Sequence, residues 1–118
     1  MTDKFYKAVN KTTGEVIADK VTIAQDYKSR SIGLLNRQNL SENEAMLIKP
    51  CSSIHTFFMK FPIDVLFLSK EGRVVKIRHS LKPWRLSGCL LGCFMVLELQ
   101  SGKLTKTTIT IGNLVEIC

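Results

Sequence analysis

Ile63-Asp64-Val65-Leu66-Phe67-Leu68-Ser69 is the most apolar strand-like segment of this chain. Apolar residues occupy both alternating faces of the segment, which is typical of a central strand buried on both sides. Lys70-Glu71-Gly72 supplies a hairpin turn, and the segment from Arg73 to His79 can return as the neighbouring strand. The stretch therefore predicts a central strand of an antiparallel sheet, with a carboxylate, Asp64, at its start.

Further strand-like segments lie on both sides of this hairpin, separated by turn residues such as Gly14, Pro50 and Gly102. Their β-branched and aromatic content favours strands. These segments are Lys4–Val9, Glu15–Ala24, Met46–Ile48, Ile54–Met59, Cys93–Gln100 and Leu114–Ile117. One short helix is predicted near residues 26–35, with Asp26 as its N-cap. Many short strands joined by turns predict an all-β fold, a compact antiparallel β-sandwich or barrel.

Length and composition limit the class of protein. The chain has 118 residues, 45% of them hydrophobic, which suits a single domain over residues 1–118. Residues 1–7 are charged and aromatic instead of forming the apolar core of a signal peptide. No apolar run approaches the roughly 20 residues of a membrane-spanning helix. We therefore expect a cytoplasmic protein with no membrane span, and reduced thiols at its cysteines: Cys51, Cys89, Cys93 and Cys118.

The sequence carries no familiar signature of a metal, nucleotide or cofactor site. Its glycines are scattered instead of grouped in a phosphate loop, and the zincin, Gly-x-Ser-x-Gly and paired Cys-x-x-Cys motifs are absent. Cys89 and Cys93 have three residues between them, not the two of a redox or zinc-knuckle pair. We therefore predict no cofactor and no metal site, and assign no catalytic residue.

The net charge of +7 is concentrated in the second part of the chain, where residues 49–106 carry ten Lys or Arg against three Asp or Glu. Such a bias attracts anionic partners and says nothing about fold. One interpretation is a weak nucleic-acid interaction through a basic face formed by Lys76, Arg78, Lys82 and Arg85. The plainer alternative is a solvated basic face that aids solubility.

Side chains that could carry a function lie mainly between Ser53 and Arg85. His55 and Asp64 could form an acid–base pair in which the carboxylate orients an imidazole that titrates near neutral pH. The structural alternative makes Asp64 a cap for backbone N–H groups. Trp84, the sole tryptophan, and Arg85 could stack on a ligand, or Trp84 could cover one end of the sandwich.

Glu98 interrupts the apolar run from Phe94 to Leu99, so it is either half of a buried ion pair with an arginine or a ligand contact. The leading hypothesis is a non-enzymatic binding module for a small ligand, a glycan or a protein segment. An enzyme with a His/Asp pair and a nucleic-acid binder are the alternatives. The candidate binding residues are His55, Met59, Asp64, Trp84, Arg85, Glu98 and Arg37.

Several short motifs, taken in order and spacing, resemble the family called domain of unknown function 192 (DUF192). They are Gly33-Leu34-Leu35-Asn36-Arg37, Ala45–Ile48, Phe58-Met59, Ile63–Leu68, Leu97-Glu98-Leu99 and Gly112-Asn113. His55-Thr56 and Pro83-Trp84-Arg85 are similar to elements of one branch of that family. The resemblance runs from about residue 21 to residue 117. It implies an all-β, jelly-roll-like sandwich with one short helix, and it implies no agreed activity.

Overall fold

The computed structural model describes residues 5–25, 34, 37–89 and 91–118. Seven strands form one curled, mixed sheet in the order β6-β5-β8-β3-β2-β1-β9, and β4 pairs with β7 in a separate two-stranded sheet. The all-β prediction is confirmed. The strands are β1 (Tyr6–Asn10), β2 (Glu15–Ala24), β3 (Glu44–Ile48), β4 (Ser53–His55), β5 (Ile63–Leu68), β6 (Val74–Leu81), β7 (Leu86–Gly88), β8 (Met95–Gln100) and β9 (Val115–Ile117), and a 3-10 turn covers Leu104–Lys106.

Strand β5 is the central buried strand that the sequence predicts. It pairs antiparallel with β6 on one side and with β8 on the other, and all of its residues are buried. Leu66 and Leu68 enter a first core on one face of the sheet, whereas Val65 and Phe67 enter a second core on the other face. Burial of each such side chain contributes about 1.5–3 kcal/mol, so this strand stabilises both cores.

The sheet departs from the antiparallel prediction at one pair of strands. β2 and β3 run parallel, with Val21 opposite Ala45 and Ile23 opposite Leu47. Parallel neighbours require a connection that returns along the sheet, and residues 25–43 supply it. The helix predicted near residues 26–35 falls in this connection, outside the described residues except for Leu34, which is helical and buried.

The prediction of a strand over Ile54–Met59 is wrong beyond His55. Strand β4 ends there, and the two following phenylalanines lie in a turn in which Phe58 has a φ of 65°. Aromatic content favoured a strand, but the rings belong to an exposed turn. Strand β7 is missing from the prediction because its Ser and Gly residues have low strand propensity.

Cys89 and Cys93 form a disulfide, so the prediction of reduced thiols is wrong for this pair. Gly92, with a φ of 81°, turns the chain between them and brings their Cα atoms to 6.1 Å, within the span of a disulfide. Cys51 and Cys118 remain thiols. Across the described ranges, no helix has the length and apolar character needed to cross a membrane.

Gly72 fixes the β5–β6 turn against β9. Its φ is +97°, and a Cβ there would collide with the carbonyl oxygen of Val115, whose N–H donates to the Gly72 carbonyl at 2.8 Å.

We expect Gly72→Ala to lower the free energy of unfolding by about 2–4 kcal/mol. Gly14 has a φ of +85° with nothing near its Cβ position, so Gly14→Ala should lose only about 1 kcal/mol. Equal losses in urea unfolding would contradict the steric explanation.

Candidate functional site

Four aromatic side chains lie side by side on the surface next to the β4–β7 sheet. The ring centroids are 4.9 Å apart for His55 and Phe57, 5.9 Å for Phe57 and Trp84, and 4.6 Å for Phe58 and Trp84. Phe58 is 68% exposed and Trp84 56%. Leu86, which pairs with His55 across the β4–β7 sheet, is 71% exposed. These five side chains are called the aromatic patch below.

Thr56 joins the two turns that carry the rings. Its carbonyl accepts the N–H groups of Met59 at 3.2 Å and Trp84 at 3.0 Å, and its own N–H donates to the Arg85 carbonyl at 2.9 Å. Its buried hydroxyl accepts the Arg85 N–H at 2.9 Å and donates to the Lys82 carbonyl at 2.5 Å. One buried threonine therefore fixes both turns relative to each other.

Thr56→Val is expected to lower the free energy of unfolding by about 1–3 kcal/mol, because the Arg85 N–H loses its acceptor while the shape of the side chain is kept. The same change should loosen the second turn and shift the emission of Trp84. Thr105→Val is the matched control, since its hydroxyl makes one hydrogen bond, to the Gly102 carbonyl, at an exposed position. Urea unfolding monitored by circular dichroism measures the free energy of unfolding of the two variants. Equal values would contradict the role of Thr56.

Phe58 and Trp84 both have a φ of 65°, in the left-handed region. Each is the third residue of a turn. In the first turn, residues 56–59, the Met59 N–H donates a hydrogen bond to the Thr56 carbonyl. In the second turn, Pro83 precedes Trp84. In type II turns this position favours glycine, and a bulky residue there costs about 1–3 kcal/mol. Strain at two exposed rings supports the hypothesis that the rings are kept for recognition and not for stability.

Basic side chains lie in or directly next to the two turns that carry the rings. Lys60, Lys82 and Arg85 are all exposed. From residue 49 to residue 97 the acidic residues are Asp64, which is completely buried, and Glu71, which lies in the β5–β6 turn. The surroundings of the aromatic patch therefore carry positive charge, which attracts anionic ligands.

Asp64 has the structural role that the sequence offered as an alternative. It is completely buried, and its carboxylate accepts the N–H of Ser80 at 2.8 Å through Oδ1 and that of Leu104 at 2.9 Å through Oδ2. These two bonds attach the end of β6 and the 3-10 turn to β5. Two backbone donors thus occupy a carboxylate that would otherwise be costly to bury.

His55 and Asp64 do not form an acid–base pair. Asp64 alternates with Val65 along β5 and so shares a face with Leu66, in the first core. His55 follows Ile54, which packs into the second core. The two side chains therefore lie on opposite sides of the main sheet. Nor do three or more possible metal-ligating side chains gather anywhere in the part of the chain that the structure describes.

Met59 and Glu98 are interior residues. Met59 packs into the second core, below the turn that carries the phenylalanines. Glu98 is completely buried on β8, where Met46 and Val65 are its neighbours on the adjacent strands. Both side chains are buried, and their predicted contact with a ligand stays a prediction.

Arg37 also lies outside the aromatic patch, and it forms a bidentate ion pair with Glu44 at the start of β3. Its Nη1 and Nη2 donate to the two carboxylate oxygens at 2.8 and 2.6 Å, and the Ser41 N–H donates to the same carboxylate at 3.0 Å. The hydrogen bonds from Arg37 lower the pKa of Glu44 from its ordinary 4.5 to about 2. This pair fixes the chain where it enters the sheet.

Glu44→Gln should therefore make stability less dependent on acid. Because the pKa of Glu44 is lower in the folded chain, its contribution is complete above about pH 4.5 and is lost as the pH falls towards 2. The Arg37 side chain is 38% exposed, so solvent screening reduces the expected contribution of the Arg37–Glu44 pair to the free energy of unfolding to about 1 kcal/mol. Glu116→Gln, which breaks an ion pair whose two side chains are about half exposed, is the control. Identical unfolding profiles of both variants between pH 7 and pH 2 would contradict this role.

Two of the basic residues assigned to a nucleic-acid face attach β7 to the main sheet. Lys76 Nζ donates to the Gly88 carbonyl at 2.5 Å and lies 5.4 Å from the centre of the Phe67 ring, and Arg78 contacts the Ser87 hydroxyl at 3.4 Å. Of the four residues of the predicted basic face, Arg78, Lys82 and Arg85 are exposed, whereas Lys76 is half-buried.

Of the predicted site residues, the structure brings together His55, Trp84 and Arg85. Sequence reasoning missed Thr56, Phe57, Phe58 and Leu86 as site residues. The predicted strand over Ile54–Met59 would place Phe57 and Phe58 on opposite faces, whereas both lie in one turn. Two signals could have found the turns. Pro83 before Trp84 is a type II turn pattern, and Pro62 soon after the phenylalanines limits how far a strand can extend.

Known proteins share both the sequence pattern and the fold. The profile of the DUF192 family, described as uncharacterized, matches residues 8–117. A UPF0127 protein of Thermococcus sibiricus is 30% identical over 109 residues, which cover 89% of this chain and 70% of the relative. A UPF0127 protein of Pyrococcus furiosus is 27% identical over 113 residues, covering 92% of this chain and 95% of the relative.

Two crystal structures have a similar fold. A protein of unknown function from Novosphingobium aromaticivorans has a TM-score of 0.79 at 23% identity and covers 94% of this chain and 83% of its own. A putative transcription regulator from Sinorhizobium meliloti has a TM-score of 0.79 at 20% identity and covers 98% of each chain. At these identities the likeness shows the fold alone. Together with the profile match across nearly all of the sequence, it confirms the resemblance noted above, and the chain belongs to the DUF192 family.

Proposed function

We propose that the chain is a non-enzymatic binding module whose aromatic patch binds an acidic protein segment through an apolar anchor residue. The single observation that carries the proposal is the pair of exposed rings, Phe58 and Trp84, held at a φ of 65°. A protein that needed only stability would favour glycine at both positions. Exposed apolar patches surrounded by polar residues mark interaction sites.

The composition of the patch favours a protein ligand over a sugar. Trp and Arg are enriched among the residues that dominate binding energy at protein interfaces, and Trp84 and Arg85 are adjacent and exposed. Leu86 extends the aromatic surface with an aliphatic side chain. An aliphatic or aromatic side chain of a peptide can cover all of this surface, whereas a sugar ring gains mainly from the flat rings.

Charge favours an acidic partner over a second copy of the chain. Lys60, Lys82 and Arg85 would face the same cations across a two-fold dimer of this surface, and like charges oppose such contact. Acidic side chains on either side of an apolar anchor would instead complement them. Binding should therefore weaken moderately as salt is raised, mainly through a slower association rate.

An array of short acidic peptides, each with one central Phe, Leu or Trp, tests the proposal. Matched peptides with the central residue changed to Ser, an acidic oligosaccharide and single-stranded oligothymidylate complete the panel. We expect saturable binding of the acidic peptides that carry a central Phe, Leu or Trp, and no binding of the matched peptides that carry Ser at that position. Tighter binding of the oligosaccharide or the oligonucleotide, self-association through the patch, or no binding of any peptide would each overturn the assignment to an acidic protein segment.

The proposal keeps the cytoplasmic location expected from the sequence, with the Cys89–Cys93 disulfide as an exception to the reduced thiols usual in that compartment. Fractionation of cells expressing the protein with a C-terminal tag measures the location. Recovery in the cytosolic fraction is expected. Recovery in the medium or in a washed membrane fraction would contradict this part of the proposal.

A further inference from the structure

Three of the four cysteines pack against the second core. Cys51, Cys89 and Cys93 are all half-buried against the second core. Cys51 and Cys93 also line a pocket of about 250 Å³, together with Pro50, Ser52 and Phe94. The fourth cysteine, Cys118, follows β9 at the outer edge of the seven-stranded sheet.

Backbone hydrogen bonds place Cys51 next to both ends of the disulfide-closed loop 89–93. The Cys51 N–H donates to the carbonyl of Phe94, the neighbour of Cys93, at 2.7 Å. The Cys89 N–H donates to the carbonyl of Ser52, the neighbour of Cys51, at 2.9 Å. Cys93 is thus one residue along the chain from the backbone contact of Phe94 with Cys51, and Cys51 is one residue along the chain from the backbone contact of Ser52 with Cys89. The two contacts bring the backbone of segment 51–52 close to both ends of the bridge.

We propose that Cys51, Cys89 and Cys93 form a thiol–disulfide exchange site. The Cys51 thiol loses a proton to solvent, and its thiolate attacks Sγ of Cys93. A Cys51–Cys93 bond forms as the Cys89–Cys93 bond breaks, and Cys89 leaves as a thiolate that takes up a proton. One disulfide replaces another, so the step needs no external oxidant or reductant. Low-molecular-weight thiols and disulfides are the substrate class that enters the site from outside, by forming a mixed disulfide that a neighbouring cysteine resolves.

The exchange would change what is attached to β7. In the observed state Cys89, directly after β7, is bridged within its own loop. After exchange, Cys93 is attached to the segment before β4, and residue 89 is released. Because Leu86 of the aromatic patch lies on β7, the release of residue 89 alters the covalent attachment next to one edge of the patch. The exchange site itself rests on the cysteine geometry and does not depend on the proposed ligand.

Disulfide mapping in a Cys118→Ser parent tests the exchange site. In that parent, Cys89→Ser leaves Cys51 and Cys93, and treatment with glutathione disulfide followed by non-reducing peptide mapping reads the product. The expected product is an intramolecular Cys51–Cys93 bridge. Stable glutathione adducts on both cysteines, or two thiols that alkylate fully, would overturn the proposal.

Two further variants and the parent itself keep the test valid if the Cys89→Ser variant does not fold. Cys93→Ser should yield a Cys51–Cys89 bridge under the same treatment, and Cys51→Ser should retain the Cys89–Cys93 bridge. The parent, equilibrated with a low-molecular-weight thiol, should contain both the 89–93 and the 51–93 bridges. Detection of the 89–93 bridge alone in that equilibrated parent would contradict the exchange even if the serine variants unfold.

Discussion

Trp84→Gly is expected to weaken binding of the anchored acidic peptide by at least about 30-fold while leaving the free energy of unfolding unchanged or higher. Trp84 is more than half exposed and has a φ of 65°, so glycine removes the recognition surface and the backbone strain together. The strain relieved, about 1–3 kcal/mol, offsets the greater conformational freedom of glycine in the unfolded chain and the lost contacts with the neighbouring phenylalanines. Loss of binding without loss of stability is the behaviour of a residue kept for function.

Phe58→Gly should behave in the same way, because Phe58 has the same φ in the other turn. Ile111→Ser removes an exposed apolar side chain, 66% accessible, from a turn outside the aromatic patch and is the matched control. Calorimetric titration with the peptide and urea unfolding measure the two properties for each protein. A glycine variant that binds normally, or one that loses several kcal/mol of stability, would show that the rings are structural.

The second large effect is expected at Asp64. Asp64→Asn should lower the free energy of unfolding by about 2–4 kcal/mol, because the amide keeps one oxygen for two backbone donors and buries an NH₂ group in place of the other. The N–H groups of Ser80 and Leu104 depend on the two carboxylate oxygens, at 2.8 and 2.9 Å. The site is completely buried, so water cannot replace the lost acceptor without local opening.

Asp19→Asn is the matched control, because Asp19 lies on a strand at an exposed position. Urea unfolding should separate the two variants by at least about 1.5 kcal/mol. Peptide affinity of the folded Asp64→Asn protein should stay within a factor of about two, since small changes of this kind are expected away from a contact surface. A large loss of affinity at unchanged stability would instead assign Asp64 to the ligand site.

The central part of the fold could be predicted from the sequence because its signal is local. An apolar run such as Ile63–Leu68, followed by a Gly-containing turn, has few alternatives to a buried hairpin strand. The parallel pairing of β2 and β3 could not be predicted in the same way. It depends on where the connection over residues 25–43 returns, which no local pattern determines.

Only the part of the candidate site that residue type indicates could be predicted from the sequence. Residue type alone drew attention to His55, Trp84 and Arg85, since lone aromatic and basic residues stand out in a sequence. The contribution of Thr56 comes from hydrogen bonds to residues 82–85, far along the chain, and such contacts leave no local signature. The disulfide was missed because compartment and spacing were used as the guides, whereas the turn at Gly92 decides whether the two sulfurs meet.

The fluorescence of Trp84 during a peptide titration measures whether the aromatic patch binds an acidic protein segment. Trp84 is the only tryptophan in the chain, so its emission reports the patch and nothing else. We predict a saturable change in Trp84 emission with the anchored acidic peptide, absent with the Ser-substituted peptide and absent in Phe58→Gly. Peptide binding that calorimetry detects while Trp84 emission stays constant, or an array without any bound acidic peptide, would contradict the claim.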